Sequence, residues 1–369
     1  MISVILPVYN GEAFIKETIE SILNQTEENF ELIIVNDGST DKSEEVIKSF
    51  TDRRIRYFLQ ENKGVAAARN KGLSHCKGDF ITFHDADDLS LKNRFEKLLE
   101  GFYGEDIVFV HSDMLLINEF NQPVGYWQSN NIHPSELFSF FINVGTPYNN
   151  GTIMYRKEKI INNKIPPYVL GEDTAFVMNI AVNYPSYHIP EPIYLYRRHS
   201  KNASQNNSYE TLVQHIKEFL AQTEPSKFLK EIDWSDEPKE RNQLKANLIV
   251  GVALSKRGLF PETVKLFDEA IPFITDQKDR DFFEGMKALV EKRFHDAENI
   301  FSQYEEKDHI IENYCGEALL HQHKYNEAYI HFLNALKLKA DYVTPTQNLK
   351  AIGQMIGLNL VDKYRNKYY

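Results

Sequence analysis

The chain has 369 residues, 42% hydrophobic and 26% charged, with a formal net charge of -11 at pH 7, enough for two domains with a buried core and too acidic for a nucleic-acid partner. Its two cysteines, Cys76 and Cys315, lie far apart, which argues against a disulfide framework and fits a reducing cytoplasm. No signal peptide and no transmembrane segment is expected, because the apolar start M-I-S-V-I-L-P-V lacks a basic lead and no window nears the ~18 apolar residues of a span.

Ile2 to Val8 is an apolar run that predicts a buried strand, and Tyr9-Asn10-Gly11 turns it. Glu12 to Gln25 has helical spacing, with Ile15, Ile19 and Ile22 on one side. Phe30 to Val35 is the next strand. After the Asn36 to Asp41 loop, Thr40 or Asp41 is expected to cap a helix through Phe50. Ile55 to Leu59 predicts a strand and Val65 to His75 a helix after the Asn62-Lys63-Gly64 turn. Phe80 to Phe83 predicts a strand that ends in three acids, Asp85, Asp87 and Asp88. A helix over Leu91 to Gly101, capped by Asp88, and a strand over Ile107 to His111 follow. Asn118 to Gln122 predicts a hairpin turn. Ile153 to Tyr155 and Pro190 to Arg198 predict strands, and Thr174 to Asn183 a helix opened by Gly171-Glu172-Asp173. Tyr126, Trp127 and Tyr148 are expected in the core, with sugar stacking as the alternative.

Alternating strands and helices predict an α/β fold, a mainly parallel sheet with crossover helices on its faces. Ligands bind outside the carboxyl ends of such strands. Tyr9-Asn10, Asp37-Gly38-Ser39 and Asp85 to Asp88 all fall at that edge. Acids this close repel, so a cation is expected beside them, most simply a divalent metal whose shell is completed by substrate phosphate. No G-x-G-x-x-G follows the first strand and no P-loop motif occurs.

P-V-Y-N at Pro7 to Asn10, V-N-D-G-S-T-D at Val35 to Asp41, E-N-K-G-V-A-A-A-R-N-K-G at Glu61 to Gly72 and D-A-D-D at Asp85 to Asp88 stand in the order found in family 2 glycosyltransferases. The chain resembles that family over about residues 1 to 200. The resemblance implies a GT-A fold and a metal-dependent inverting transfer. The sugar would pass from a nucleoside diphosphate sugar, UDP-linked, to a hydroxyl of a glycan or lipid-linked saccharide in cell-surface polysaccharide synthesis, and the protein would be cytoplasmic or peripheral at the inner face of the membrane. It implies that Asp37 binds the base and that Pro7, Val8 and Tyr9 line the nucleotide pocket. Arg69 would lie near the nucleotide. In the D-x-D triplet Asp85-Ala86-Asp87, Asp85 would reach the ribose or a metal-bound water, and Asp87 would bind Mn2+ or Mg2+. Asp173 would be the general base, with Glu172 as an acceptor contact or support. His199, in Arg197-Arg198-His199, would reach the metal or the diphosphate, with Arg198 and Lys201 as further cations. Each has a plainer alternative: a turn for Asp37, a solvated helix face for Arg69, a helix start for Glu172 and Asp173, and surface for His199.

Gln205 to Ser208 reads as a linker, giving an expected catalytic domain over 1–205 and a helical domain over 209–369. Within the latter, segments from Leu259, Arg293 and Lys324 form a weak repeat near the ~34 residues of a tetratricopeptide unit. Such hairpins would bind a protein partner, self-associate or brace the front domain. Two other functions fit less well. A sugar nucleotidyltransferase would want a glycine- and lysine/arginine-rich loop after the first strand, which Y-N-G-E-A-F lacks. A non-catalytic nucleotide-sugar-binding scaffold would have no need of Asp85, Asp87 and Asp173 together.

Overall fold

The computed structural model describes residues 1–143, 145–167, 171–200, 202, 216, 219–220, 223–229, 232–235 and 239–355, with the side chains of 142, 143, 239 and 343 excepted. It divides into two compact units, Met1–Glu231 and Ile232–Tyr369. Phe219 and Phe228 belong to the first, where they pack on Phe138. The division thus falls beyond the 205–208 stretch, which lies outside the described residues.

The first unit is built on one sheet. Strands β1 (Ile2–Val8), β2 (Phe30–Asn36), β3 (Ile55–Leu59) and β4 (Phe80–Phe83) alternate with helices α1 (Ile15–Leu23), α2 (Ser43–Lys48) and α3 (Val65–Ser74). They pair in parallel in the order β3-β2-β1-β4. Every residue of β1 and β2 is buried, as expected of strands covered on both faces. Helix α3 lies close on β1 because its inner face is small: a methyl at Gly72 would run into Cγ2 of Ile5.

Beyond β4 the sheet is mixed. β8 (Ile153–Arg156) pairs antiparallel with both β4 and β6 (Phe109–Asn118), and β9 (Ser186–Arg198) runs parallel to β6. A two-residue strand β5 (Leu89–Ser90) closes the far edge on β9, and β7 (Pro123–Trp127) forms a hairpin with β6. The expected turn at Asn118 to Gln122 makes that hairpin: Asn118 Oδ1 accepts from the amides of Phe120 and Gln122. The mainly parallel expectation holds in strand direction, since β6 and β9 run with the first four strands, while β5, β7 and β8 run against them. Helix α4 (Arg94–Glu100) starts three residues later than expected because Leu91 and Lys92 are held outside it: the Leu91 amide donates to the Ile193 carbonyl of β9 at 3.1 Å and the Lys92 carbonyl accepts from the Thr26 amide at 2.8 Å. Helices α5 (Leu137–Asn143), α6 (Lys157–Ile160), α7 (Glu172–Ala181) and α8 (Pro225–Phe228) complete the first unit's described α-helices.

The second unit has helices and no strand among its described residues. Phe260–Ala270, Phe294–Ser302 and Tyr325–Leu338 pack on the helices before them, Lys239–Lys256, Gln277–Val290 and His309–His321. The repeat read in the sequence has a physical basis in one contact made three times. Phe267, Phe301 and Phe332 are fully buried, and each lies against a glycine of the preceding helix: Gly251, Gly285 and Gly316. The turn before each second helix contains a left-handed residue: Gly258, Lys292 and His323, with φ of 74°, 61° and 61°. Lys292 and His323 adopt that backbone despite a Cβ.

Candidate functional site

The site stands at the carboxyl ends of β1, β2 and β4. Its floor is two interlocked loops. The Asn10 amide donates to Ser39 Oγ at 3.0 Å, Asn10 Oδ1 accepts from the Thr40 amide at 2.8 Å, and the Gly11 amide donates to Ser43 Oγ at 2.8 Å. Asn10 holds a left-handed backbone, φ 51°, which asparagine tolerates. Pro7 and Val8 are buried in β1, so they can offer a ligand only backbone, whereas Tyr9 is exposed. Asp37 is buried, and its carboxylate accepts from Gln60 Nε2 at 2.7 Å and from the Lys63 and Gly64 amides at 2.9 Å each. It clasps the loop that leads into α3.

Arg69 ties the loop after β4 to the start of α7. Its guanidinium donates to Asp85 Oδ1 at 2.8 Å and to Glu172 Oε1 at 2.5 Å, across 103 residues of sequence. Glu172 opens α7 after Gly171, whose φ of 80° favours glycine. Asp173 follows it in the first turn, where acids suit the helix dipole. Asp87 Oδ2 meets His199 Nε2 at 2.9 Å, and Asn202 Oδ1 holds the His199 amide at 2.6 Å. Ala86 contributes its carbonyl, which accepts from Thr18 Oγ1 at 3.0 Å.

Residues 3–163 match Glycosyl transferase family 2. That match takes in less than half of the chain. GlyA of Streptococcus pneumoniae, a glycosyltransferase, is 51% identical over 89 residues, 24% of this chain and 13% of GlyA. GgaB of Bacillus subtilis, a minor teichoic acid biosynthesis protein, is 47% identical over 105 residues, 27% of this chain and 12% of GgaB. The chain thus spans about an eighth of the length of either relative. Among solved structures, residues 1–349 of S. aureus TarS in complex with UDP-GlcNAc superpose with a TM-score of 0.55 at 17% identity, over 88% of this chain and 92% of that one, a likeness of fold.

The acids of this site have divided environments. Burial raises the Glu172 carboxyl to about 7, with the Asp173 charge adding to it and Arg69 opposing. The close Arg69 contact argues for a charged Glu172, but one guanidinium faces Asp85, Glu172 and Asp173, so the upward direction stands. Burial works against the charge on Arg69 too, yet those three carboxylates together raise its pKa. Burial raises Asp87 as well, helped by the Asp85 charge and opposed by His199.

Asp88 is not a helix cap. It is fully buried and accepts from Tyr194 Oη at 2.7 Å and the Arg197 amide at 2.7 Å, while β5 separates it from α4. Burial, then Asp87 and Asp85, raise its pKa. Arg197 is also consumed within the fold. Its Nε donates to the Asp87 carbonyl at 2.7 Å, its Nη2 to Glu17 at 3.0 Å, and it lies over the Phe14 ring. Arg198 is exposed, and Lys201 lies outside the described residues.

Two buried groups under the site carried no sequence signal. His84 Nδ1 faces the Asp85 carbonyl at 2.9 Å, so it must donate, and Nε2 at 3.0 Å then accepts from Ser90 Oγ. Burial and the Arg94 charge lower its pKa to about 3, which keeps the ring neutral. Arg94 donates to Thr82 Oγ1 at 2.8 Å and the Gly151 carbonyl at 2.6 Å, and burial lowers it to about 10. Together they brace the β4 end from below.

Among the described residues, no three His, Cys, Asp or Glu side chains gather as a metal site. Asp87 and His199 nevertheless suit a divalent cation. They face each other, they offer one oxygen and one imidazole nitrogen, and Asp87 lacks a full counter-charge. Mn2+ or Mg2+ is commonly held by one or two protein ligands plus substrate phosphate.

Proposed function

We propose that this chain transfers a sugar from a nucleoside diphosphate sugar to a hydroxyl group of a glycan or lipid-linked saccharide, with inversion at the sugar carbon. The observation that carries the reading is Arg69. By bonding Asp85 and Glu172 at once, it joins the D-A-D loop to the E-D pair as one site. Asp85, Ala86 and Asp87 face the donor, with Tyr9 and the backbone of Pro7 and Val8 beside the base. Asp37 holds the loop at Lys63 and Gly64 and meets the base from there. Asp173 takes the acceptor proton, and Glu172 and Arg69 hold it in place. Asp87 and His199 would hold Mn2+ or Mg2+, which when bound neutralises the departing diphosphate.

Uracil is the proposed base, on the footing that TarS, which shares the fold, binds UDP and UDP-GlcNAc. Cell-surface polymer synthesis is the proposed setting, by analogy with GgaB. No helix among the described residues is long and apolar enough to cross a membrane, and we place the enzyme at the cytoplasmic face where such acceptors are built. The helical unit, read as tetratricopeptide-like, would brace the enzyme or bind a partner. A thermal-shift screen of nucleotides and nucleotide sugars, with and without Mn2+, tests the reading, since a ligand of the folded state raises the midpoint. A response confined to uridine nucleotides supports it, and silence toward every nucleotide contradicts it.

A further inference from the structure

The β6–β7 hairpin holds an aromatic ring that the donor site leaves unused. Tyr126 was expected in the core, as Tyr148 is, yet it is 52% exposed. Its hydroxyl nevertheless donates to Asp113, a carboxylate only 1% exposed. The same carboxylate accepts from the Ser129 amide at 2.9 Å and faces His188 Nε2 at 2.7 Å. Asp113 therefore anchors the tip of a ring whose face is left to solvent. The bond to Asp113 raises the phenol to about 12, so it remains a donor across the neutral range. A ring fixed in this way loses little freedom when a ligand settles on it.

Its place in the sheet follows from strand direction. β8 is antiparallel to both β4 and β6, so β6 runs with β4 and its second half reaches the edge that carries Asp85 to Asp88. β7 pairs with that half, with Tyr126 opposite Leu115. Phe109, His111, Asp113 and Leu115 alternate onto one face of β6. Phe109 lies against Tyr155, and Tyr155 against Phe176 of α7, the helix that Glu172 and Asp173 open. Tyr126 thus shares both the edge and the face of the carboxylate pair, on the side away from the β1 and β2 loops.

We propose that Tyr126 is the platform of an acceptor subsite, on which a hexopyranose unit of the acceptor saccharide lays its C–H face. The inference rests on the reading of Asp173 as the acceptor-side base. A pyranose offers one face of C–H groups to an aromatic ring and keeps its hydroxyls at the rim, which matches a pinned, exposed phenol.

Saturation-transfer NMR on the full chain, with methyl β-glucoside, methyl β-galactoside, lactose and chitobiose as probes, tests it. The wild type should transfer saturation to sugar C–H protons. Tyr126→Ala should weaken that binding about 2- to 10-fold, the worth of one aromatic face. Tyr126→Phe, which keeps the ring and loses the anchor, should fall between. The thermal shift with UDP should be equal in all three proteins. Equal saccharide signals in wild type and Tyr126→Ala, or none from any probe in the wild type, overturn the subsite. A chain that binds UDP but no saccharide contradicts the subsite and leaves the transferase standing. A chain that binds saccharides through Tyr126 but no nucleotide does the reverse.

Discussion

Arg69→Met should unfold the first unit far more easily than a single surface charge change would. The side chain is 5% exposed and pairs with Glu172, 8% exposed, and with Asp85, 35% exposed. The Asp85 arm is open enough to water to add little. The Glu172 arm is not: removing its partner leaves a buried carboxylate facing Asp173, and breaking such a pair costs about 3–5 kcal/mol. Glu172 escapes part of that cost by taking a proton, so the loss should shrink toward pH 5. Arg69→Met/Glu172→Gln should recover much of it, because the buried Glu172 charge left without its partner is gone. Urea unfolding followed by tryptophan fluorescence reads this directly. The chain has two tryptophans, Trp127 in the first unit and Trp234 in the second, so a Trp234→Phe background reports the first alone. A loss below about 1 kcal/mol, or a double variant no better than Arg69→Met, would refute the buried bridge.

Glu172→Gln should flatten the pH dependence of first-unit stability. A carboxyl raised from 4.5 to about 7 stabilises the fold at low pH, and that contribution is lost as pH rises through about 7; unfolding midpoints at pH 5 and 8 that shift in the variant as in wild type would count against it. In the helical unit, Gly285→Ala should cost roughly 1–3 kcal/mol, because its methyl would lie 2.6 Å from the Phe301 ring. Lys292→Gly should instead stabilise by about 1 kcal/mol, since it relieves a left-handed backbone; thermal unfolding followed by Trp234 in a Trp127→Phe background checks both, and equal midpoints would dismiss the repeat geometry.

How much of this was legible in the sequence depended on distance along the chain. The parallel strands announced themselves as continuous apolar runs, and the loops at their ends carried recognisable motifs. Those signals are local, and β1, β2 and β4 set them side by side. The helical repeat was legible for the same reason: Phe267, Phe301 and Phe332 recur on matching helices. What stayed hidden was who bonds whom across the sheet. Asp88 precedes a helical stretch and reads as a cap, but its partners are Tyr194 and Arg197, more than a hundred residues on. Arg69 sits on a helix that looks solvated, yet it is 4% exposed because Glu172 arrives from α7. His84 and Arg94 belong to no motif, and only burial shows that they support the β4 end. Tyr126 failed in the other direction, since nothing local distinguishes an aromatic that packs from one that is pinned and exposed.

The central claim is that Asp87 serves the donor and Asp173 the acceptor proton. It is met most directly by measuring nucleoside diphosphate release from UDP-sugars with Mn2+, alongside calorimetric UDP affinity, in wild type, Asp87→Ala and Asp173→Ala. The wild type should release the diphosphate, and Asp173→Ala should lose at least about 100-fold in release with UDP affinity nearly unchanged. Asp87→Ala should show weakened Mn2+-dependent UDP binding. Release by Asp173→Ala at the wild-type rate, or unaltered UDP affinity in Asp87→Ala, would contradict it.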